Sequence, residues 1–320
     1  MKFVFATLLA SAGAVLAQVG APVMGLVPEA GSLRVLYGIP AAGFAGDPVP
    51  VGRVLSTAQT SSAGFALGIA QNTGELLLIR NAAQQTAAEP IANVAAGASR
   101  IVMSPGGTAA LAVYESGRVS VIGGLPGAIT VRLADISFLG APPASLAVSD
   151  DAQWIVGAWG SAVYALGPAG QVNLLPTDGA AQQVTFFHGK SDVALITANQ
   201  VALISDIGSA AVPKIIWQKP PDLPPDAVTQ VATGLAVSAD NQRLTVAGSL
   251  GGLYTMDLAH DNAGIYTECG CTTQGLASMG ASLYRISAFE DGSWKLYDAA
   301  TGAVLFVPLA APAAATGVQQ

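Results

Sequence analysis

Cys269 and Cys271 are the only two cysteines in the 320-residue chain, and one glycine separates them in the stretch ECGCTTQG, residues 268 to 275. Such a pair can form a local disulfide, remain as free or intermolecular thiols, or serve a metal or redox function. On a straight strand, residues two apart hold their Cβ atoms about 6.6 Å from each other, against about 3.8 Å in a disulfide. A bond needs a tight bend, which Gly270 permits. In an oxidising compartment the pair reads first as a Cys269–Cys271 disulfide that shapes one loop.

The remaining chemistry is sparse. The two histidines are His188, in HGKSD, and His260, in LAHDNAG; both fall in turn contexts and are expected to be solvated. A closed zinc site needs about four Cys or His ligands at recognisable spacings, and this chain has four such residues in all, spread from 188 to 271. No Gly-x-Ser-x-Gly nucleophile elbow is present. Asp150, Asp151, Asp240 and Asn241 lie in turns between apolar strands, and Asp206, Asp257 and Asp298 end other strands. Their recurrence at equivalent positions is what turn chemistry demands. No catalytic, cofactor or metal residues are assigned.

These residues are positioned by a repeat. Strands with alternating apolar residues recur as ELLLIRN (75–81), RVSVIGG (118–124), SAVYALG (161–167), QVALISD (200–206), GLYTMD (252–257) and SWKLYD (293–298), their last residues 43, 43, 39, 51 and 41 apart. Before several of them stand two apolar strands joined by a Ser-led turn: VMSPGGTAALAVY (102–114), LAVSDDAQWIVGAW (146–159) and LAVSADNQRLTVAG (235–248). The period and the near absence of helical periodicity predict an all-β fold. Four short strands every ~40 to 45 residues is the measure of a propeller blade. The hairpin VMGLVPEAGSLRVLYG (23–38) reads as the third and fourth strands of a further blade, with AAGFAGDPVPVG (41–52) as a loop after it. Six complete units plus this hairpin favour a seven-bladed β-propeller over a six-bladed one.

The last unit, SWKLYDAATGAVLFV (293–307), resembles the third and fourth strands of WD40 or YVTN-type repeats: aromatic Trp294, Asp298 entering the turn, Thr301-Gly302 closing it. The chain departs from true WD40 in lacking the Gly-His pair and the Trp-Asp dipeptide, so the resemblance to exported bacterial propellers of this kind is one of architecture. It brings two enzymatic readings with it. Propeller lactonases hold a divalent ion in the central channel with carboxylates, Asn and His; quinoproteins can carry a close cysteine pair and stacked tryptophans. Trp154, Trp159, Trp217 and Trp294 show no repeated docking motif and read as packing aromatics.

The first residues, MKFVFATLLASAGAVLAQ, carry Lys2, an apolar run and small residues before a cleavage point after Ala17, the pattern of a signal peptide over residues 1–17. The mature chain is then expected to begin at Gln18 and to run as a propeller over 18–310, with a tail over 311–320. The chain is 52% hydrophobic and 10% charged, yet after the leader its apolar stretches are too short and too interrupted to span a bilayer. Thirteen basic residues, scattered singly among twenty acidic ones, exclude a nucleic-acid footprint. KPPDLPPDAV (219–228) reads as a stiff connector. The expectation is a periplasmic or extracellular monomer without cofactor. It is a non-catalytic binding or scaffolding protein for a protein, glycan or envelope component, with a lactonase-like hydrolase as the alternative.

Overall fold

A computed structural model describes residues 22–82, 85–140, 142–208, 212–218 and 231–310. The leader, the tail over 311–320 and the Pro-rich segment 219–228 lie outside them. The described chain forms seven antiparallel meanders, each with its strands paired in sequence order. Blade 1 consists of β1 (Val23–Glu29), β2 (Ser32–Ile39) and β3 (Ala42–Pro48). Blade 2 holds β4 (Leu55–Thr60), β5 (Phe65–Ala70), β6 (Leu76–Ala82) and β7 (Gln85–Pro90). Blade 3 holds β8 (Arg100–Met103), β9 (Ala109–Val113), β10 (Arg118–Gly123) and β11 (Thr130–Asp135). Blade 4 holds β12 (Ser145–Val148), β13 (Ile155–Trp159), β14 (Ala162–Leu166) and β15 (Val172–Leu175). Blade 5 holds β16 (Ala181–Phe186), β17 (Val193–Thr197), β18 (Gln200–Ile204) and β19 (Pro213–Gln218). Blade 6 holds β20 (Ala232–Val237), β21 (Arg243–Gly248), β22 (Gly252–Asp257) and β23 (Gly264–Glu268), and blade 7 β24 (Ala277–Gly280), β25 (Leu283–Arg285), β26 (Ser293–Asp298) and β27 (Ala303–Pro308).

The first strands touch one another from β24 through β1, β4, β8, β12 and β16 to β20, and Gly234 of β20 lies against Gly275 and Leu276 just before β24, so β1, β4, β8, β12, β16, β20 and β24 form the inner wall of a ring. Apolar side chains gather between neighbouring blades rather than at the centre. Phe65, Leu67 and Leu78 meet Ile101 and Ile122 between blades 2 and 3; Val156 and Val163 meet Phe186 and Leu195 between blades 4 and 5. One such layer fills every interface, and the layer of Val27, Leu36, Met279, Trp294 and Leu296 joins blade 7 to blade 1. Second strands are therefore apolar on both faces: FALGIA, AALAV, IVGAW and VALIT are buried at every position, as continuous runs require. Fourth strands carry the exposed surface, as in TVRLAD and PKIIWQ.

All six third strands expected from the repeat are found in that place. The reading of blade 1 is corrected. Its hairpin supplies the first and second strands, β1 being innermost, and the segment expected as a loop contains a third, β3. The glycines that suggested a loop are packing sites. A Cβ on Gly43 would stand 2.3 Å from the Met24 methyl, and one on Gly46 would stand 2.7 Å from the Tyr37 ring. Phe44 stacks on Tyr37 with centroids 5.6 Å apart. The outer edge of this thin blade is met by the chain beyond β27: Leu309 bridges Ala45 in parallel, and Ala310 N–H donates to the Ala45 carbonyl at 2.9 Å.

The turns between first and second strands are tied from blade to blade. Asp150, in the blade 4 turn, accepts the Gly106 N–H of blade 3 at 2.7 Å on Oδ1 and the Gly189 N–H of blade 5 at 2.8 Å on Oδ2. His188 N–H donates to Asn241 Oδ1 at 2.8 Å, and Asn241 Nδ2 returns a bond to the His188 carbonyl at 3.0 Å. Ala239 N–H donates to the Ala281 carbonyl at 3.0 Å, linking blades 6 and 7. A bond to a charged acceptor contributes about 1.5–3 kcal/mol. Asp150→Ala is expected to lower stability by about 2 kcal/mol or more, and Asp150→Asn, which keeps one acceptor oxygen, by less. Urea unfolding midpoints at unchanged slope check the order.

Candidate binding site in the central channel

The inner strands enclose a cavity of about 500 Å³ along the axis. Its wall is polar because each first strand begins with or near a small or polar residue. Where β12, β16 and β20 begin, Ser145 Oγ accepts the Val184 N–H at 3.1 Å and donates to Gln183 Oε1 at 3.3 Å. Gln183 Nε2 in turn donates to the Ala232 carbonyl at 3.2 Å. Thr233 Oγ1 and Thr273 Oγ1 share a hydrogen bond of 2.7 Å, and Thr273 Oγ1 donates to the Gly248 carbonyl at 2.5 Å. These neutral groups satisfy one another across blades 4 to 7.

Two arginines at the same end do not fit that pattern. Arg100 is the first residue of β8, and Arg285 pairs with Ala277, the first residue of β24. Both line the cavity, whose wall contains no Asp or Glu among the described residues. Neither takes part in the ion pairs formed among the described residues. Arg285 Nη1 donates to the Ser287 carbonyl at 3.0 Å, while its Nε is enclosed without an acceptor. Burial pulls both guanidiniums below their ordinary range, Arg285 to about 10, a value at which Arg285 stays charged at neutral pH. Thr60 Oγ1 and Tyr284 Oη also lie buried along the channel, toward the turns between first and second strands, with no partner among the described residues. Burial raises the Tyr284 phenol and keeps it protonated.

The residues singled out from sequence are distributed differently. His188 is not simply a solvated turn residue: it is half-buried on the channel wall, and its Nε2 lies 3.1 Å from the Val237 carbonyl. The turn carries it inward because its backbone is clasped by Asn241. His260 is a solvated turn residue, with its side chain 80% exposed, and lies 3.1 Å from Asp257. The His260 hydrogen bond is the chief reason the Asp257 carboxyl lies below the usual range. Asp151 and Asp240 serve their own turns: each accepts the hydroxyl two residues before it, from Ser149 and Ser238, at 2.5 Å. Asp298 accepts Ser282 Oγ at 3.0 Å and Thr301 Oγ1 at 2.9 Å. Among the described residues no three of His, Cys, Asp or Glu converge as a metal-ligand group.

The tryptophans pack between or beside blades. Trp294 is fully buried 4.4 Å from Phe289, Trp159 meets Tyr164 edge-on at 6.0 Å, Trp217 tilts against Tyr254 at 6.0 Å, and Trp154 flanks the layer between blades 4 and 5. Cys269 and Cys271 lie in the connection from β23 to β24, their sulfurs 2.03 Å apart and the intervening Gly270 at a φ of +56°. Buried Lys295 holds this loop by donating from Nζ to the Gly270 carbonyl at 3.1 Å.

No protein-family model matches the chain, and no curated protein does so either. Among solved structures it is similar to a functionally unknown protein from Desulfotomaculum acetoxidans DSM 771, with a TM-score of 0.59 and 11% identity over 89% of this chain and 99% of that one. The chain is a seven-bladed β-propeller. The propeller domain of Cps50 (Swd1) from Myceliophteria thermophila aligns with a TM-score of 0.46 and 13% identity over 64% of this chain and 67% of that one. The WD40 repeats of RRP9 align with a TM-score of 0.46 and 10% identity over 63% and 60%. At these identities the likeness is one of fold.

Sequence reasoning passed over Arg100 and Arg285 because basic residues are scattered singly. The repeat register held a signal: where β8 begins with Arg, β12, β16, β20 and β24 begin with Ser or Ala. A fold that disfavours a charged group is more stable without it. Stability withheld by Arg285 below its folded value returns as that charge is lost. Arg285→Met is expected to hold or raise the urea midpoint at unchanged slope; a loss of unfolding free energy of more than about 2 kcal/mol would mark the guanidinium as a structural brace.

Proposed function

We propose that this protein is an exported, non-catalytic binding or scaffolding propeller that engages a protein, glycan or envelope component, with the channel mouth as its ligand-facing site. The observation that carries this reading is the wall of the channel. Among the described residues it presents cationic and hydroxyl donors that are not fully used, but no carboxylate. A lactonase-like hydrolase would need several anionic or imidazole ligands at that place, and His188 is the one such residue on the wall. Donors without a partner suit recognition, since a buried polar group left unpaired costs stability until something meets it.

Export rests on the leader pattern in residues 1–17, and an oxidised Cys269–Cys271 pair belongs with it. Protein recovered from outside the cytoplasm is expected to begin at Gln18. It should show no free thiol before reduction and two afterwards. An intact leader in the cytoplasm would sink export, and two thiols in the native protein would sink the disulfide. Elemental analysis of protein purified without chelator is expected to find no stoichiometric divalent ion. A tightly held ion, lost together with esterase or lactonase turnover on chelation, would establish the hydrolase instead.

A further inference from the structure

We propose that the channel mouth binds a small oxyanion, a carboxylate or phosphate group, with Arg100 and Arg285 supplying the charge. The proposal rests on the reading of the channel as a binding site and names the chemistry it takes. The two guanidiniums come from blades 3 and 7 and stand at the level where the inner strands begin. Arginine presents five donors in a planar fork that matches carboxylate and phosphate oxygens. Here the fork is incompletely used: neither arginine has a counter-ion among the described residues, and Arg285 Nε has no acceptor.

The surroundings sharpen the assignment. The chain carries a formal net charge of -7, so its surface as a whole repels anions, while the cavity wall holds two arginines and, among the described residues, no carboxylate. The contrast with Arg132 is instructive. Its Nε is likewise enclosed, but its Nη2 caps the Ala152 and Gln153 carbonyls at 3.0 and 2.9 Å on an outer strand, and it does not face the cavity. A cavity of about 500 Å³ is of the size that holds small molecules, and it is too narrow for a folded partner.

The test is calorimetric titration of the mature protein with inorganic phosphate and, separately, with citrate, at neutral pH and low ionic strength. One saturable site with a dissociation constant in the millimolar range or tighter is expected for at least one of them. Arg100→Gln and Arg285→Gln should each weaken it about tenfold or more, whereas Arg118→Gln, which removes an exposed charge from β10, should not. Citrate alone would assign carboxylate chemistry, phosphate alone phosphoryl chemistry. If Arg285→Gln does not fold, Arg100→Gln decides. Absence of saturable heat with both anions, or equal affinity in all three variants, overturns the proposal. That outcome leaves the binding reading standing, because the binding reading falls instead to a stoichiometric metal with hydrolytic turnover.

Discussion

The carboxylate of Asp150 sits where three blades meet, one oxygen on the backbone of blade 3 and the other on the backbone of blade 5. Apolar layers between blades are non-directional: they favour contact but leave neighbouring sheets free to slide along the axis. Hydrogen bonds with fixed partners remove that freedom. The Asp150 clamp, the His188–Asn241 clasp and the Ala239–Ala281 bond lock one end of the inner strands at common height. The polar groups at the opposite end then arrive at one level. Ser145 can reach Gln183, Thr233 can reach Thr273, and Arg100 and Arg285 line the same mouth because the strands cannot slip.

The repeat was legible because it is written in the pattern of burial. Third strands alternate and recur, and each stands where its spacing placed it, from Leu76 in β6 to Asp298 in β26. Other features were not legible, for physical reasons. In β3, Gly43 and Gly46 have the composition of a loop, and only the Met24 and Tyr37 side chains lying over them explain a strand. Asp150 and Asp151 are adjacent in one turn and look alike, yet Asp151 bonds its own turn and Asp150 its neighbours, a difference that exists only once the blades are side by side. Arg100 and Arg285 are far apart in sequence, and nothing local announces that they share a cavity.

The composition also acquires a reason. A chain that is 52% hydrophobic and 10% charged looks membrane-like until second strands such as AALAV and VALIT are seen to be buried on both faces. No helix among the described residues is long and apolar enough to cross a membrane. With core layers lying between sheets, charge is concentrated in turns and outer strands. A charged side chain on the inner wall is therefore an exception that costs stability.

The meeting of Leu309 and Ala310 with Ala45 joins points separated by nearly the whole described chain. Six of the seven interfaces join blades that are consecutive in the chain and can form as each meander is completed. The seventh closes the largest loop the molecule contains, and contacts of such long range form late because chain entropy must be lost before they contribute. Until then the outer edge of β3 is bare, an edge of the kind that pairs with other chains. Closure of the ring thus depends on the last residues of the described chain reaching one of its earliest strands.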